Sequence, residues 1–411
     1  MTVERIVIIG AGEAGCRAAF ALRENSFTGE IVLLGDEPLS PYERPPLSKQ
    51  CLQTKEPARY IAQAEQFSAQ AITFRAACPV EAIQPQSHIV RLGAGEEIRY
   101  DRLLLATGAR ARPLRIKGAD AASLFYLRTH ADALRLGGVL DTGRRIAIVG
   151  GGFIGLELAA LARTAGAEVI LFEAATRLLS RGASAELSDR VAALHLRAGV
   201  DLRLGAQIAG IAQTGQAHTI LLSDGEQFAC DAILVGVGAE PETKLAAAAG
   251  ITLDNGIAVD SQLRTSTPDI FAAGDCCSFP HLLYGQRRIR LEAWRNAQDQ
   301  ANLAARNILG ASESYTAVPW LWSDQYDITL QIAGLIDEGT TLVTRNLADG
   351  GAQLHFHLND EGRLVAAAGI GTTGLIARDI RLAEMLIAQR ARPAIAALAQ
   401  PDVKLKTLLA A

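Results

Sequence analysis

Two short runs of glycine recur in this chain at a spacing that can hold a pyrophosphate. Gly10-Ala11-Gly12-Glu13-Ala14-Gly15 follows the apolar run Arg5-Ile6-Val7-Ile8-Ile9. Gly150-Gly151-Gly152-Phe153-Ile154-Gly155 follows Arg145-Ile146-Ala147-Ile148-Val149. In GxGxxG the first glycine permits a sharp turn out of a strand, the second lets backbone approach the phosphates, and the third lets helix pack on strand. The phosphates then meet the unpaired N–H groups and positive end of that helix. Each run is followed by a second apolar stretch ending in acid: Ile31-Val32-Leu33-Leu34-Gly35-Asp36-Glu37 and Val169-Ile170-Leu171-Phe172-Glu173. A carboxylate there accepts the hydrogens of a ribose diol. Two such units predict two bound dinucleotides, and two dinucleotides predict redox chemistry between them.

The rest of the chain must position these sites. Its 411 residues suffice for two or three domains, each with its own core. Charged residues make up 20% and the net charge is −4, which does not describe a nucleic-acid binder. Hydrophobic residues make up 49%, but no apolar run reaches membrane-spanning length. The first strand begins almost at once, so no signal peptide is expected and the compartment expected is the cytoplasm. The six cysteines, Cys16, Cys51, Cys78, Cys230, Cys276 and Cys277, form neither CxxC nor CxxxxC. They read as thiols in a reducing compartment, with Cys51 close to Lys49 as the one candidate for thiol chemistry.

The fold class expected is α/β, with two Rossmann-like dinucleotide-binding domains and an α+β C-terminal domain. Asp101-Arg102-Leu103-Leu104-Leu105-Ala106-Thr107-Gly108 reads as a buried strand into a small-residue turn. Ala232–Pro241 and Asp269–Asp275 read the same way, and a helix is predicted across about 294–309. From Pro319 alternating runs such as Ile328-Thr329-Leu330-Gln331-Ile332 predict an antiparallel sheet, and 376–389 an amphipathic helix. The boundaries expected are 1–113 with 239–318, then 114–238, then 319–411.

With these motifs on hand, the chain resembles pyridine-nucleotide–disulfide-reductase-type flavoproteins over essentially its whole length. The elements are GAGEAG, the LLATGA turn, GGGFIGLE, the GVGAEP turn and the DIFAAGD strand. Pro41-Tyr42-Glu43-Arg44-Pro45-Pro46-Leu47-Ser48-Lys49 and Pro319-Trp320-Leu321-Trp322-Ser323-Asp324-Gln325 narrow the resemblance to FAD-dependent ferredoxin reductases of ring-hydroxylating dioxygenase and cytochrome P450 systems. The disulfide-reductase branches carry CxxxxC where this chain reads RPPLSKQCL. The resemblance implies a discontinuous FAD domain with a nicotinamide domain inserted, and a [2Fe–2S] ferredoxin as electron acceptor serving a terminal oxygenase.

By the same resemblance, Gly10, Gly12, Ala14 and Gly15 line the FAD pyrophosphate, and Asp36 or Glu37 holds its ribose. Arg44 and Lys49 face the flavin. Val80, Thr107, Gly108, Arg128, Gly274 and Asp275 complete the cradle, and Trp294 and Trp320 lie at the ring. Gly150, Gly152, Ile154, Gly155, Glu157, Glu173, Arg181 and Gly236 are expected at the nicotinamide nucleotide. Lys49 and Glu157 are expected as a pair that tunes flavin reduction, a cation there favouring the reduced ring. Glu173 argues for NADH over NADPH, although Arg177 and Arg181 follow it. No metal site is expected, and four spaced cysteine ligands for an iron–sulfur cluster are absent.

The alternatives are a rubredoxin reductase, an NADH oxidase or peroxidase working through Cys51, and a non-catalytic NADH-responsive interaction flavoprotein. The quaternary state expected is monomer or homodimer. Arg287, Arg288 and Arg290 form the densest basic cluster and are the expected rim for an acidic ferredoxin.

Overall fold

The structure is a computed structural model describing residues 3–49, 52, 58–120, 124–215, 217–347 and 351–409, so Cys51 lies outside the described residues. It divides into two compact units. One comprises Met1–Glu43, Arg59–Arg110 and Glu240–Pro319, the other Arg44–Ala58, Ala111–Ala239 and Trp320–Ala411.

In the first unit a parallel sheet runs in the order Ile270–Ala272, Arg102–Leu105, Arg5–Ile9, Glu30–Leu34, Ile72–Arg75. Ile6, Val7, Ile8, Ile31 and Leu33 are fully buried, which is why these strands read as continuous rather than alternating apolar runs. The crossover helix Glu13–Glu24 packs on the helix Trp294–Ile308 through small residues: Ala14, Ala18 and Ala21 on one, Ala297, Ala301 and Ala304 on the other. Three short antiparallel strands, Val80–Gln84, Ile89–Leu92 and Glu97–Arg99, fill the connection before Arg102–Leu105.

The second unit repeats that plan. Its parallel sheet runs Asp201–Leu204, Glu168–Glu173, Arg145–Val149, Ala232–Val235, Leu124–Phe125. An antiparallel three-stranded connection, Ile208–Thr214, Ala217–Leu222 and Gln227–Cys230, precedes Ala232–Val235. Ala147, Phe172, Ile220 and Ile233 meet in one buried core under that connection.

The same unit contains an antiparallel sheet in the order Trp320–Gln325, Ile328–Gly334, Leu364–Gly371, Gln353–Leu358, Thr341–Asn346, with the helix Thr373–Ala388 packed on it. Residues 320–411 and the segment 44–58 group with the second nucleotide fold. The physical reason is side-chain bonding. The helix Phe153–Thr164 holds both the Pro45–Ser48 turn and the Trp320–Gln325 strand through Glu157.

Candidate active site

In the first unit the glycine turn is shaped for a ligand rather than for a side chain. Gly10 has φ +103°, and a Cβ there would lie 2.2 Å from the Ala106 carbonyl oxygen. A Cβ on Gly15 would lie 1.8 Å from the Gly10 oxygen, yet one on Gly12 would meet nothing within 4 Å. The closing contacts are therefore filled by protein, and the central one is open. The helix Glu13–Glu24 starts at Gly12 with no side-chain cap, leaving its N–H groups for an anion. Ala14 touches this turn's other wall, since a Cβ on Gly274 would lie 3.0 Å from the Ala14 Cβ. At the sheet edge Asp36 is exposed, and Glu37 accepts the Tyr42 hydroxyl at 2.5 Å.

Other expected residues are engaged in holding the unit together. The Thr107 hydroxyl donates to the Glu242 carbonyl at 2.6 Å, and Gly108 accepts the Glu242 N–H at 2.9 Å. Asp275 accepts Arg290 on its carbonyl at 3.3 Å, and Val80 opens the antiparallel connection. The indole of Trp294 donates to Glu13 at 2.9 Å, and Gln298 donates to the other oxygen at 2.9 Å. Burial pushes the Glu13 carboxyl up, against the pull of those two donors. The sequence reading missed Glu13, although it stands inside the fingerprint. It missed Gln300 too: its fully buried amide oxygen accepts the Gly274 N–H at 2.7 Å, while its amide nitrogen has no partner.

In the second unit Gly150 has φ +109°, and a Cβ there would meet the Gly236 oxygen at 2.4 Å. A Cβ on Gly155 would meet the Gly150 oxygen at 2.0 Å, but one on Gly152 would meet nothing closer than 4.0 Å. Ile154, beside that opening, is exposed. Glu173 ends its strand with both oxygens held by backbone, Gly151 N–H at 2.7 Å and Ala175 N–H at 2.7 Å. Arg177 donates to the carbonyls of Ala183 and Ser180, at 2.8 and 2.9 Å, and so closes its own loop. Arg181 is exposed.

The second unit also gathers the residues expected to do chemistry. Ser48, at the end of the Pro45–Ser48 turn, donates to the Glu157 Oε2, and Ser323 donates to Oε1 at 2.7 Å. Glu157 is buried, and desolvation pushes its carboxyl up; the Lys49 charge and the two hydroxyls pull the other way. Lys49 and Glu157, expected as a pair, are coupled through the Lys49 charge, while the direct bond of the ammonium goes to another carboxylate. The Lys49 ammonium bonds Asp324 at 2.6 Å and lies 5.1 Å from the centre of the Trp322 ring. Asp324 sits on an outer strand, with Thr329 donating to it at 2.8 Å. Trp320 stacks on Trp322 with centroids 5.3 Å apart, and Arg44 donates to the Arg128 carbonyl at 2.5 Å. Arg44, Lys49, Arg128 and Trp320 thus belong to the second unit, whereas Gly10 to Glu37, Val80, Thr107, Gly108, Gly274, Asp275 and Trp294 belong to the first.

Two members of the expected basic rim are also engaged within the first unit. Arg288 donates to the carbonyls of Val259 and Ser278, at 3.0 and 2.7 Å, and Arg290 pairs with Glu292 at 2.5 Å. Both guanidinium groups brace loops, and Arg288 also pairs with Asp254 at 3.4 Å; Arg287 and Arg288 are exposed. The described cysteines are free thiols, and burial pushes Cys16 and Cys230 up to about 12, with Cys276 and Cys277 also raised. None of these four is a ready thiolate. Among the described residues no group of three or more His, Cys, Asp or Glu can hold a metal, and no helix is long and apolar enough to cross a membrane.

The chain matches the family described as pyridine nucleotide-disulphide oxidoreductase over residues 4–301, and the reductase C-terminal family over residues 320–409. It belongs to the pyridine nucleotide-disulphide oxidoreductase family. It is 40% identical over 411 residues, the whole of both chains, to the ferredoxin–NAD(+) reductase component of the anthranilate 1,2-dioxygenase system of Burkholderia cepacia. It is 38% identical over 350 residues to the putidaredoxin reductase of Pseudomonas putida, covering 83% of each chain. The reductase in the crystal structure of a covalent putidaredoxin reductase–putidaredoxin complex superposes with a TM-score of 0.93 at 34% identity, covering 99% of this chain and 98% of that one. The cofactors are FAD and NAD(H). Both open glycine turns and the uncapped helices behind them suit two pyrophosphates.

Proposed function

We propose that this chain is an NADH-dependent ferredoxin–NAD(+) reductase, delivering single electrons to a [2Fe–2S] ferredoxin that feeds a ring-hydroxylating dioxygenase or a cytochrome P450. The observation that carries the reading is the paired fingerprint: two strand–glycine–helix turns of one plan, each with an open central glycine, in a chain that aligns end to end with such reductases. Bound FAD supplies the exchange between a two-electron donor and one-electron acceptors. The first unit's turn, with Gly10, Gly12, Ala14, Gly15, Asp36 and Glu37, would hold FAD. The second unit's turn and Glu173 would hold NADH, and the carboxylate would reject a 2′-phosphate. Arg177, turned into its own loop, does not oppose that preference. In the second unit Lys49, Asp324 and Glu157 would set the charge around a reacting ring, with Arg44, Arg128 and Trp320 as its other expected ring-binding residues; in the first unit Trp294 would serve the FAD. We read the compartment as the cytoplasm, where the free thiols of the described cysteines would stay reduced.

The thiol-based alternatives draw no support from the four buried cysteines, whose thiols are held protonated. The test is NADH-dependent cytochrome c reduction with ferredoxin, with rubredoxin and with neither. Stimulation by ferredoxin alone is the expected result. Equal turnover without any carrier, or dependence on rubredoxin, would overturn the reading.

A further inference from the structure

Glu157 stands at one end of a continuous chain of side-chain hydrogen bonds. Ser323 donates to Glu157 at 2.7 Å, and the Gln325 amide nitrogen donates to the Ser323 oxygen at 3.2 Å. The Gln325 amide oxygen lies 2.9 Å from His195 Nε2, and the Tyr326 oxygen lies 3.3 Å from His195 Nδ1. The amide oxygen can only accept, so Nε2 carries the ring hydrogen. Nδ1 is then the acceptor, and Tyr326 donates. Every donor in the chain therefore points the same way, from Tyr326 through His195, Gln325 and Ser323 to the Glu157 carboxylate. His195 and Gln325 are buried, and Tyr326 is half-buried.

The polarity has a chemical consequence. Hydrogen bonds aligned head to tail strengthen one another, and they end here on a group that burial would otherwise neutralise. With the imidazole hydrogen on Nδ1 instead, the amide would turn over, Ser323 would donate to it, and Glu157 would lose a donor. The amide also limits what the chain can do. A proton cannot pass along Gln325 without forming an imidic acid, so the chain orients rather than conducts.

We propose that His195, Gln325 and Tyr326 are positioning residues for hydride transfer from NADH, acting through Ser323 to hold Glu157 ionised and fixed beside the nicotinamide fingerprint. The inference rests on the proposed NADH-oxidising role of this unit. As the nicotinamide C–H bond breaks, the electron pair leaves with the hydrogen and the ring becomes cationic. A fixed anion on the helix that opens the fingerprint favours that change. The charged groups acting on Glu157 are Lys49 and Asp324, and Arg163 acts on Tyr326. None of these is displaced by replacing Gln325.

The test uses the FAD-loaded full chain and two readouts. The protonated carboxyl stretch of Glu157, assigned by its loss in Glu157→Gln, is followed by infrared difference spectroscopy across pH. Anaerobic flavin reduction by NADH is followed by stopped flow over the same range. In Gln325→Leu both midpoints should rise by about half a pH unit, because Ser323 keeps its charge-assisted bond to Glu157 but loses the donor that polarises it. Tyr326→Phe, which removes only the first donor, should raise them less, and His195→Gln, which keeps an N–H for Gln325, should restore much of the shift seen in His195→Leu. Unmoved midpoints in both Gln325→Leu and Tyr326→Phe would overturn the proposal, as would a rate lowered equally at every pH. A protein that reduces ferricyanide with NADH but serves no ferredoxin would defeat the proposed function and leave this test standing.

Discussion

At the scale of single residues, two charged side chains of the second unit have opposite settings. Glu173 is held by two backbone N–H groups, so its direction is fixed by the fold. Glu173→Ala should lower kcat/KM for NADH by about tenfold and narrow the gap to NADPH, because one bidentate acceptor and one repulsion go together. It should also cost about 1–2 kcal/mol of stability in denaturant unfolding, since Gly151 and Ala175 lose their acceptor. Unchanged discrimination between the coenzymes would remove Glu173 from the site. Lys49 is the reverse case, a cation shared by two acids. Lys49→Met leaves Asp324 and Glu157 without it, and the Glu157 carboxyl should rise further, because the term that lowers it is gone and the Asp324 repulsion remains. Stopped-flow reduction by NADH should slow roughly tenfold or more, with the acid limb moved to higher pH. Retention of the wild-type profile with FAD bound would assign Lys49 to structure alone.

At the scale of elements, what was legible in the sequence was whatever repeats locally. Both fingerprints, the buried strands beside them, the helix Trp294–Ile308 and the C-terminal alternation follow from spacing and apolar period, and the structure has each of them. Less legible were the bonds between elements far apart in the chain. Ser48 and Ser323 reach Glu157 across 109 and 166 residues, and nothing in a lone serine signals that. Arg288 and Arg290 show the same limit: charge density is visible in sequence, but the carbonyls and carboxylates that engage it are not. Arg345 is another such bond. It is 2% exposed and donates to the carbonyls of Leu398, Val403 and Ala397 at 2.6, 3.1 and 2.7 Å. It thereby fastens the helix Ile395–Ala399 to the strand Thr341–Asn346. Arg345→Met should cost about 3 kcal/mol, as one buried and two half-buried acceptors lose their donor. Hydrogen exchange should speed up first in residues 395–409; loss confined to any other segment would show that the guanidinium does not hold this one.

At the scale of the whole molecule, four buried histidines predict an acid limit to stability. His195, His281, His355 and His357 are at most 5% exposed, and burial holds all four below their ordinary value, His357 down to about 4. The unfolded chain takes up these protons at about pH 6.5, the folded chain only lower down. Between those values the unfolded state binds more protons, so each histidine contributes stability that is present above about pH 6.5 and lost as the pH falls toward its folded value. Glu13 and Glu157, raised by burial, have the opposite sign: their contribution is present at low pH and lost as pH rises through their folded values. They soften the acid limit without removing it. His355 separates the effects. Neither of its ring nitrogens has a hydrogen-bond partner, and it shares its strand with His357, near Glu186 and Arg190. His355→Leu therefore breaks no hydrogen bond and removes a group that can be charged only at a cost. Its Tm should match the parent within a few degrees at about pH 7.5 and exceed it at about pH 5, measured by scanning calorimetry with FAD in excess. A variant whose Tm falls in parallel with the parent across that range would show that acid unfolding starts elsewhere.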